Sequence, residues 1–432
     1  MACALSNNLP TLILGRVIAG LRSGALDVMT QLTIHQVVSP SHSTIAEQTV
    51  SSMYWLGAAL GPIVGGAVTQ AIGWRYIFWM NFPVGALAIL TLPFLLRLKS
   101  NDRLECRELR KVDYTGWVLL AGGIAPVVLA ISWAGSWYQW TFGQVLAPLI
   151  AGTVTLALFA QYFRYRLEPI ILISIFSRAQ GLASCFGALV LGMVFMSLAY
   201  FLPVYFMTAH AFDHTKTGLL LTPWTLGSVA AGLATTAVLT TTAIKGTYLW
   251  PVGWALVTAG TGLTTLLHAS TAINLTIPIG LLTGLGLGLL FPIVTANARS
   301  AARTDDEHIH AVPLHDFFNT LGQTLGIAVG SCIFLKRLHS PVATSSYSSL
   351  ESALQPNDAV AFIKTIQSMP VSQVGLKADI VGAYVGALRG VWVGFCILAG
   401  VCFALSFWYI EDTRWTERVE AGGQGKEGQS KV

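Results

Sequence analysis

Three charged side chains, Arg16, Arg22 and Asp27, lie within one apolar stretch near the start of the chain. A charge at the depth of a lipid bilayer costs at least about 2.5 kcal/mol unless it faces a partner or a water-filled cavity. Arg16 therefore indicates either a polar cavity with a proton pathway or a structural pair with a neighbouring helix. Arg22 and Asp27 are five residues apart, too far to pair well on one helix, which favours structural roles, but Asp27 remains a candidate for the proton pathway.

A second titratable group, which could bind a metal ion, comprises His308, His310, His315 and Asp316 and follows an acidic run at 305–307. Its polar setting favours a solvated cytosolic loop that leads into a helix. The six cysteines show no metal-ligand spacing. Nucleotide-binding loops, hydrolase triads and zinc-protease patterns do not occur, and the glycines at 284, 286 and 288 lie in an apolar run typical of helix packing. We predict no metal, no cofactor and no enzymatic activity.

The composition is that of a membrane protein. Hydrophobic residues make up 54% of the chain and charged residues only 10%, whereas soluble proteins carry about 25% charged residues. A lipid bilayer must therefore cover most of the surface. The net charge of +5 is concentrated in loops, so it bears on membrane orientation, and we predict no nucleic-acid partner.

Eleven apolar stretches are long enough to cross a hydrocarbon core of about 30 Å as helices. We predict spans at 10–33, 45–71, 76–96, 113–133, 142–164, 180–208, 217–241, 248–268, 273–298, 311–335 and 383–410. The distribution of Lys and Arg favours a cytosolic C-terminus. The loop 97–112 is then cytosolic and the loop 338–382 lies outside, and the polar, Gly-rich tail 411–432 is predicted to be disordered.

Glycines recur at every fourth position in the second span. Gly57, Gly61 and Gly65 share one helix face, and such a face allows another backbone to approach closely. Pro62 removes a backbone hydrogen bond and bends the helix. We therefore expect Gly61→Leu to be more damaging than Gly123→Leu.

The segment 55–66, which ends at Gly66, resembles the antiporter motif in the fifth helix of drug:proton antiporters of the major facilitator superfamily. The segment 73–85 is similar to the connection into the sixth helix of that family, and the residues that match include Trp74, Arg75, Asn81 and Pro83. The segment 15–20 is similar to the fourth-helix motif, with Arg16 at its buried arginine.

Further matches at 160–169, 200–206, 218–223 and 318–326 follow the order of the fourteen-helix branch, as in fungal toxin and multidrug efflux proteins. Ala19 and Asn319 depart from the family pattern, which usually has Gln and often Arg there.

The resemblance implies an all-α integral membrane protein with the major facilitator fold, in which about eleven of an expected fourteen helices are present. The implied divisions are a remnant of the N-terminal six-helix bundle (1–97), a basic cytosolic loop with two linker helices (98–179), a C-terminal six-helix bundle (180–410) and a cytosolic tail (411–432). In such folds the substrate binds near the midplane between the bundles.

The function that the resemblance implies is proton-coupled export of small apolar compounds, such as drugs or a toxin from a biosynthetic gene cluster, across the cell membrane rather than the vacuolar membrane. The partners would be the substrate, protons and the lipid bilayer. Candidate groups for the cavity or proton pathway are Arg16, Asp27, Tyr200, Tyr205 and Trp224. Two alternatives are a truncated family member that does not transport and an uptake carrier for a metabolite or siderophore.

Overall fold

The structure is a computed structural model that describes residues 2–95, 113–134, 138–165, 179–242, 246–301, 305–344, 363, 366–367 and 374–429. Within these residues the regular elements are helices. In chain order they are α1 (Leu9–Val37), α2 (Pro40–Ala71), α3 (Arg75–Leu95), α4 (Tyr114–Trp133), α5 (Gly143–Arg164), α6 (Ala179–Ala209), α7 (His214–Leu220), α8 (Thr222–Thr241), α9 (Gly246–Thr264), α10 (Ile273–Ala301), α11 (Asp305–Thr344) and α12 (Val374–Gln429).

The eleven predicted spans all coincide with helices, which confirms the all-α class. The span predicted at 217–241 is divided between α7 and α8, which meet at Leu221. Among the described residues, eight helical stretches are long and apolar enough to cross a membrane, and Leu56–Ala71 is a shorter apolar helix.

Local sequence explains how several helices begin and how their polar groups are satisfied. Proline lies in the first turn of α1 and of α2, where its missing N–H costs no helical hydrogen bond. At the start of α4, the Asp113 carboxylate accepts a hydrogen bond of 2.9 Å from the Gly116 N–H. Many threonine hydroxyls donate to the carbonyl four residues earlier, as Thr69 does to Gly65 at 2.6 Å. These bonds satisfy the hydroxyls without water.

Two predictions about the polar ends of helices are wrong. Residues 305–310 were expected in a loop, but α11 begins at Asp305. The tail 411–432 was expected to be disordered, but α12 continues to Gln429. Residues 411–420 include three Glu and two Arg, which are good helix formers. Glycines at 422, 423, 425 and 428 follow, so helix propensity explains only the first part of the extension. Most of the predicted loops 97–112 and 338–382 lies outside the described residues.

The chain divides into two compact units. We call Met1–Val112 with Phe212–Thr225 the N-terminal unit, and Asp113–Ala211 with Leu226–Val432 the C-terminal unit. The N-terminal unit contains α1–α3 and α7. The C-terminal unit contains α4–α6 and α9–α12, together with α8 from Leu226 onward. The predicted domain boundaries stay a prediction.

Glycines permit close helix contacts in the C-terminal unit. A Cβ at Gly322 of α11 would overlap the Leu189 carbonyl of α6, and one at Gly326 would overlap the Met193 carbonyl. In α10, a Cβ at Gly286 would lie 2.7 Å from the Val257 backbone nitrogen, and one at Gly288 would overlap the Ser228 carbonyl. The glycine run in α10 is thus a helix-packing feature, as predicted.

Candidate functional site

The predicted contact face of the antiporter motif is open in the structure. A Cβ at Gly57, Gly61 or Gly65 would have no atom of the described residues within 4 Å. By contrast, a Cβ at Gly123 would lie 2.7 Å from the Leu156 side chain. Among the contacts that the structure describes, Gly123 has a close neighbour and Gly61 does not, so packing favours the opposite of the expected ranking of Gly61→Leu above Gly123→Leu. The periodicity was identified correctly, but periodicity does not tell which face has a neighbour.

The end of the motif makes the close contact, and its partner is α7 within the N-terminal unit. A Cβ at Gly66 would lie 2.5 Å from the His214 carbonyl oxygen. Across the same contact, a Cβ at Gly218 of α7 would overlap the Pro62 carbonyl. The Gln70 side-chain oxygen also accepts a hydrogen bond of 3.1 Å from the Thr215 N–H. Two glycines, one from each helix, thus bring the backbones of α2 and α7 together.

We expect Gly66→Leu to disrupt the contact between α2 and α7, whereas Gly65→Leu should be tolerated. A side chain at residue 66 meets the His214 backbone, which cannot move aside as a flexible side chain would, and forced overpacking typically costs about 1–3 kcal/mol. Residue 65 has open space. Crosslinking of introduced cysteines at Gln70 and Thr215 measures the contact. Equal crosslinking yields in the two variants would contradict the expectation.

The residues that follow the motif form the start of α3. Gly73 has a φ of +109°, a backbone conformation that glycine adopts readily and other residues avoid. The Arg75 guanidinium lies 4.7 Å from the Trp74 ring centroid and donates a hydrogen bond of 3.2 Å to the Ser6 carbonyl. Further along, the Asn81 amide donates to the Ile77 carbonyl at 3.2 Å, and Pro83 lies inside the helix. In the structure these residues shape the turn between α2 and α3 and tie it to the segment before α1.

The charged residues of α1 are on its surface. Arg16, Arg22 and Asp27 are all exposed in the structure, whereas Gly15 beside Arg16 is buried against Cys3, whose Sγ would lie 2.7 Å from an added Cβ. The structure therefore places Arg16 and Asp27 on one helix of the N-terminal unit. Their role in a proton pathway stays a prediction.

The aromatic candidates differ in their surroundings. Tyr205 is fully buried in the C-terminal unit, and its hydroxyl donates a hydrogen bond of 2.9 Å to the His268 carbonyl. Its ring makes an edge contact with Trp392, with centroids 5.7 Å apart. Tyr200, one turn earlier, is 41% exposed, and Trp224 is buried. Tyr205 is thus a core residue of the bundle, and Tyr200 is partly exposed.

Of the three histidines in the predicted cluster, the structure describes the side chain of His315, which is buried. His315 is buried within α11, and its Nδ1 lies 3.1 Å from Oδ1 of Asp316. The side chains of His308 and His310 lie outside the described part of the structure. In the described residues there is no group of three or more His, Cys, Asp or Glu side chains that could hold a metal ion. The solvated-loop interpretation is wrong for His315, because it lies ten residues into a helix.

A polar stripe on α11, formed by His315, Asn319 and Gln323, was not predicted from the sequence. Asn319 is buried, and its side-chain nitrogen lies 3.4 Å from the Ala188 carbonyl of α6. Its side-chain oxygen accepts a hydrogen bond of 2.7 Å from Gln323. Asn319 had been noted only because the family often has an arginine there. The spacing of His315, Asn319 and Gln323, four residues each, is the sequence signal that would have placed them on one face.

A sequence profile of the Major Facilitator Superfamily matches residues 1–331, more than three quarters of the chain. The chain belongs to the Major Facilitator Superfamily. The predicted resemblance is confirmed at this level, and the protein is a multi-pass membrane protein. Membership of a transporter family also agrees with the prediction that the chain is not an enzyme. The fourteen-helix branch and the helices expected before residue 10 stay predictions.

Several fungal relatives match most of this Major Facilitator protein. It is 28% identical to MFS transporter L2 of a Phoma species over 92% of the chain and 27% identical to efflux pump FUS6 of Gibberella fujikuroi over 96% of the chain. It is 26% identical to the acurin A biosynthesis cluster MFS-type transporter of Aspergillus aculeatus over 92% of the chain. The chain spans 66%, 76% and 72% of the lengths of these three relatives, respectively.

A solved structure supports the fold assignment. The chain superposes on a bacterial homologue of the human lysosomal transporter Spinster, in an inward-facing and unoccupied conformation, with a TM-score of 0.58. The match covers 95% of this chain and 79% of that protein at 13% sequence identity. At this identity the likeness establishes the fold and carries no information about the substrate.

Proposed function

We propose that this protein is a secondary transporter that exports small, mostly apolar compounds across the cell membrane in exchange for protons. The contact between α2 and α7 carries the proposal, because it is formed by the segment that resembles the antiporter motif. Gly66 and Pro62 of that segment meet the backbone of α7 through glycine positions. Relatives with the printed names "efflux pump" and "biosynthesis cluster MFS-type transporter" also support export of a secondary metabolite.

The proposed substrate class follows from the character of the C-terminal unit. Its interior is lined by aromatic and aliphatic side chains, and the partly exposed ring of Tyr200 lies in edge contact with Phe201, with centroids 5.1 Å apart. Aromatic rings stack well on planar, apolar molecules. A substrate taken from the lipid or the cytosol would therefore be apolar rather than a sugar or a charged metabolite.

The protons, the direction of transport and the membrane are parts of the same proposal. Proton coupling rests on the resemblance to drug:proton antiporters and on the titratable groups in membrane helices. The C-terminus is placed in the cytosol by the excess of Lys and Arg in the loops on that side. Uptake of a metabolite or siderophore and the absence of transport remain the competing hypotheses.

The test is efflux of rhodamine 6G, a fluorescent apolar dye, from yeast cells that express the 432-residue chain. We expect efflux faster than in cells with the empty vector, and we expect a protonophore to abolish the difference. The matched controls are Gly66→Leu, which should lose efflux, and Gly65→Leu, which should keep it, at equal amounts in the isolated plasma membrane.

Each other result identifies a competing hypothesis. Dye accumulation above the vector control would indicate uptake. Efflux at the vector rate, with the protein present in the plasma membrane, would favour the hypothesis that this form does not transport. Efflux that persists with the protonophore would contradict coupling to protons while preserving export.

A further inference from the structure

We propose that His315 and Asp316 form a proton-binding pair in the C-terminal unit, and that the transport cycle includes protonation of His315 at Nε2. This inference rests on the proposed function, because it assigns residues to the proton coupling. It concerns a part of the chain that lies outside the segments resembling the antiporter motif.

The geometry determines which nitrogen takes the proton. The side chain of His315 is 4% exposed and that of Asp316 is 45% exposed, and Nδ1 lies 3.1 Å from Oδ1. A carboxylate accepts hydrogen bonds, so this contact assigns the hydrogen of the neutral ring to Nδ1 and leaves the lone pair on Nε2. Nε2 is buried and has no hydrogen-bond partner among the described residues. The ring therefore presents an unused acceptor inside the protein.

A buried acceptor without a partner is costly, which argues for a role beyond packing. Leaving such a group unsatisfied destabilises a folded protein, and unsatisfied groups in native proteins call for an explanation. Histidine is also the side chain that most readily exchanges a proton near neutral pH. A proton on Nε2 converts the acceptor to a donor and makes the ring positively charged beside a carboxylate.

The charges of the pair are compatible with reversible protonation of His315. With a neutral ring, the pair carries a charge of −1, and with Nε2 protonated it carries no net charge. The carboxylate is partly exposed, and it compensates the positive charge that a proton on Nε2 gives to the buried ring. The step forms one N–H bond at Nε2 from a proton supplied by water on one side, and it breaks that bond when the proton leaves on the other side. No electron is transferred.

The pair lies at the end of the polar stripe on α11. Asn319 follows His315 by four residues and Gln323 follows by eight, so all three share a face. The two amides hydrogen-bond to each other at 2.7 Å, and Asn319 lies 3.4 Å from the Ala188 carbonyl. Amide side chains do not titrate near neutral pH. The pair is thus the part of the stripe that can change charge.

In the part of the chain that the structure describes, the helices that pack against α11 bring a small number of titratable or charged groups to this end of the bundle. These helices are α4, α6, α10 and α12. The hydrogen bond of 3.2 Å from Ser184 to the Val294 carbonyl brings the beginning of α6 beside the end of α10. The titratable or charged groups there are Cys185 on α6, Arg299 on α10 and Tyr409 on α12, with Asp113 and Tyr114 at the start of α4. Asp113 already accepts hydrogen bonds from Gly116 and Tyr162.

The experiment compares two kinds of transport by the purified 432-residue chain in liposomes, with rhodamine 6G as the probe. Driven transport is measured with an imposed pH gradient, and exchange of the dye across the membrane is measured at equal pH. We expect His315→Gln to reduce driven transport to near the background rate, because an amide cannot take up a proton at this position, while exchange continues. His268→Gln, which changes an exposed histidine in the C-terminal unit, should alter neither.

If His315→Gln impairs folding and abolishes both kinds of transport, a second variant, Asp316→Asn, tests the proposal. Asp316→Asn should change the pH profile of driven transport, because it removes the carboxylate that accepts the hydrogen of Nδ1. A wild-type pH profile in Asp316→Asn, or wild-type driven transport in His315→Gln, would overturn the inference. Absence of driven transport in the wild-type chain would instead refute the proton coupling of the proposed function.

Discussion

Replacing Gly322 by leucine is expected to remove most of the folded protein from the membrane, whereas Gly386→Leu should leave the amount near the wild-type level. A Cβ at residue 322 would overlap the Leu189 carbonyl oxygen and lie 2.8 Å from the carbonyl carbon. Backbone atoms cannot rotate away, so α6 and α11 would have to separate. Gly386 on α12 is exposed and has open space for a side chain.

The cost at Gly322 should exceed the usual range for an overpacked core, about 1–3 kcal/mol. Separating these helices would also break the hydrogen bond of Asn319 to Ala188 and would uncover the face of α6 that is most deeply buried. Size-exclusion chromatography of a fluorescent fusion measures the folded amount, and a thermal ramp gives the Tm. Similar peak heights and Tm values for the two variants would show that α6 and α11 do not pack through this glycine.

The second large effect is expected at Tyr205. Tyr205→Ala should destabilise the C-terminal unit by about 3–5 kcal/mol, as truncations of buried aromatic residues do. The side chain is fully buried, it contacts Trp392, and its hydroxyl donates to the His268 carbonyl. Tyr205→Phe keeps the ring and loses the hydrogen bonds of the hydroxyl to the His268 carbonyl and the Thr271 side chain, so its cost should be about 1–2 kcal/mol.

Comparing stability with transport distinguishes a core residue from a substrate contact. Thermal unfolding of the purified variants measures the first property, and dye efflux at matched protein amounts measures the second. Tyr248→Ala is the control, because Tyr248 is 47% exposed. If Tyr205→Phe kept the wild-type Tm but changed which dyes were exported, Tyr205 would be a substrate contact and the core assignment would fail.

The positions of the helices could be predicted from the sequence because span length and hydropathy are local properties. The segment 180–208 is apolar throughout, and it forms α6 with nearly the same bounds. The predicted bounds are wrong where polar residues continue a helix beyond the apolar segment, as in α12 after residue 410. There, the helix continues through a polar, Gly-rich sequence, so hydropathy does not show where it ends.

Contacts between helices could not be predicted in the same way. Gly57, Gly61 and Gly65 have the same spacing as Gly322, Gly326 and Gly330, yet only the second set lies against another helix in the described residues. A period of four says which residues share a face and nothing about what that face meets. The burial of His315 was not predicted for a related reason, because the acidic residues before it indicated a loop and its burial depends on neighbouring helices distant in sequence.

The contacts of α6 have a consequence for biosynthesis. The α4–α5 hairpin is local, since Asp113 and Tyr162 are 49 residues apart, whereas Ala188 and Asn319 are 131 residues apart. At about 5–20 residues per second, the ribosome reaches α11 several seconds or more after α6 has left the translocon. During that interval the glycine at residue 192 and its buried neighbours face lipid or a chaperone. Mutations that slow synthesis between α6 and α11 should therefore lower the yield without altering any contact of the finished protein.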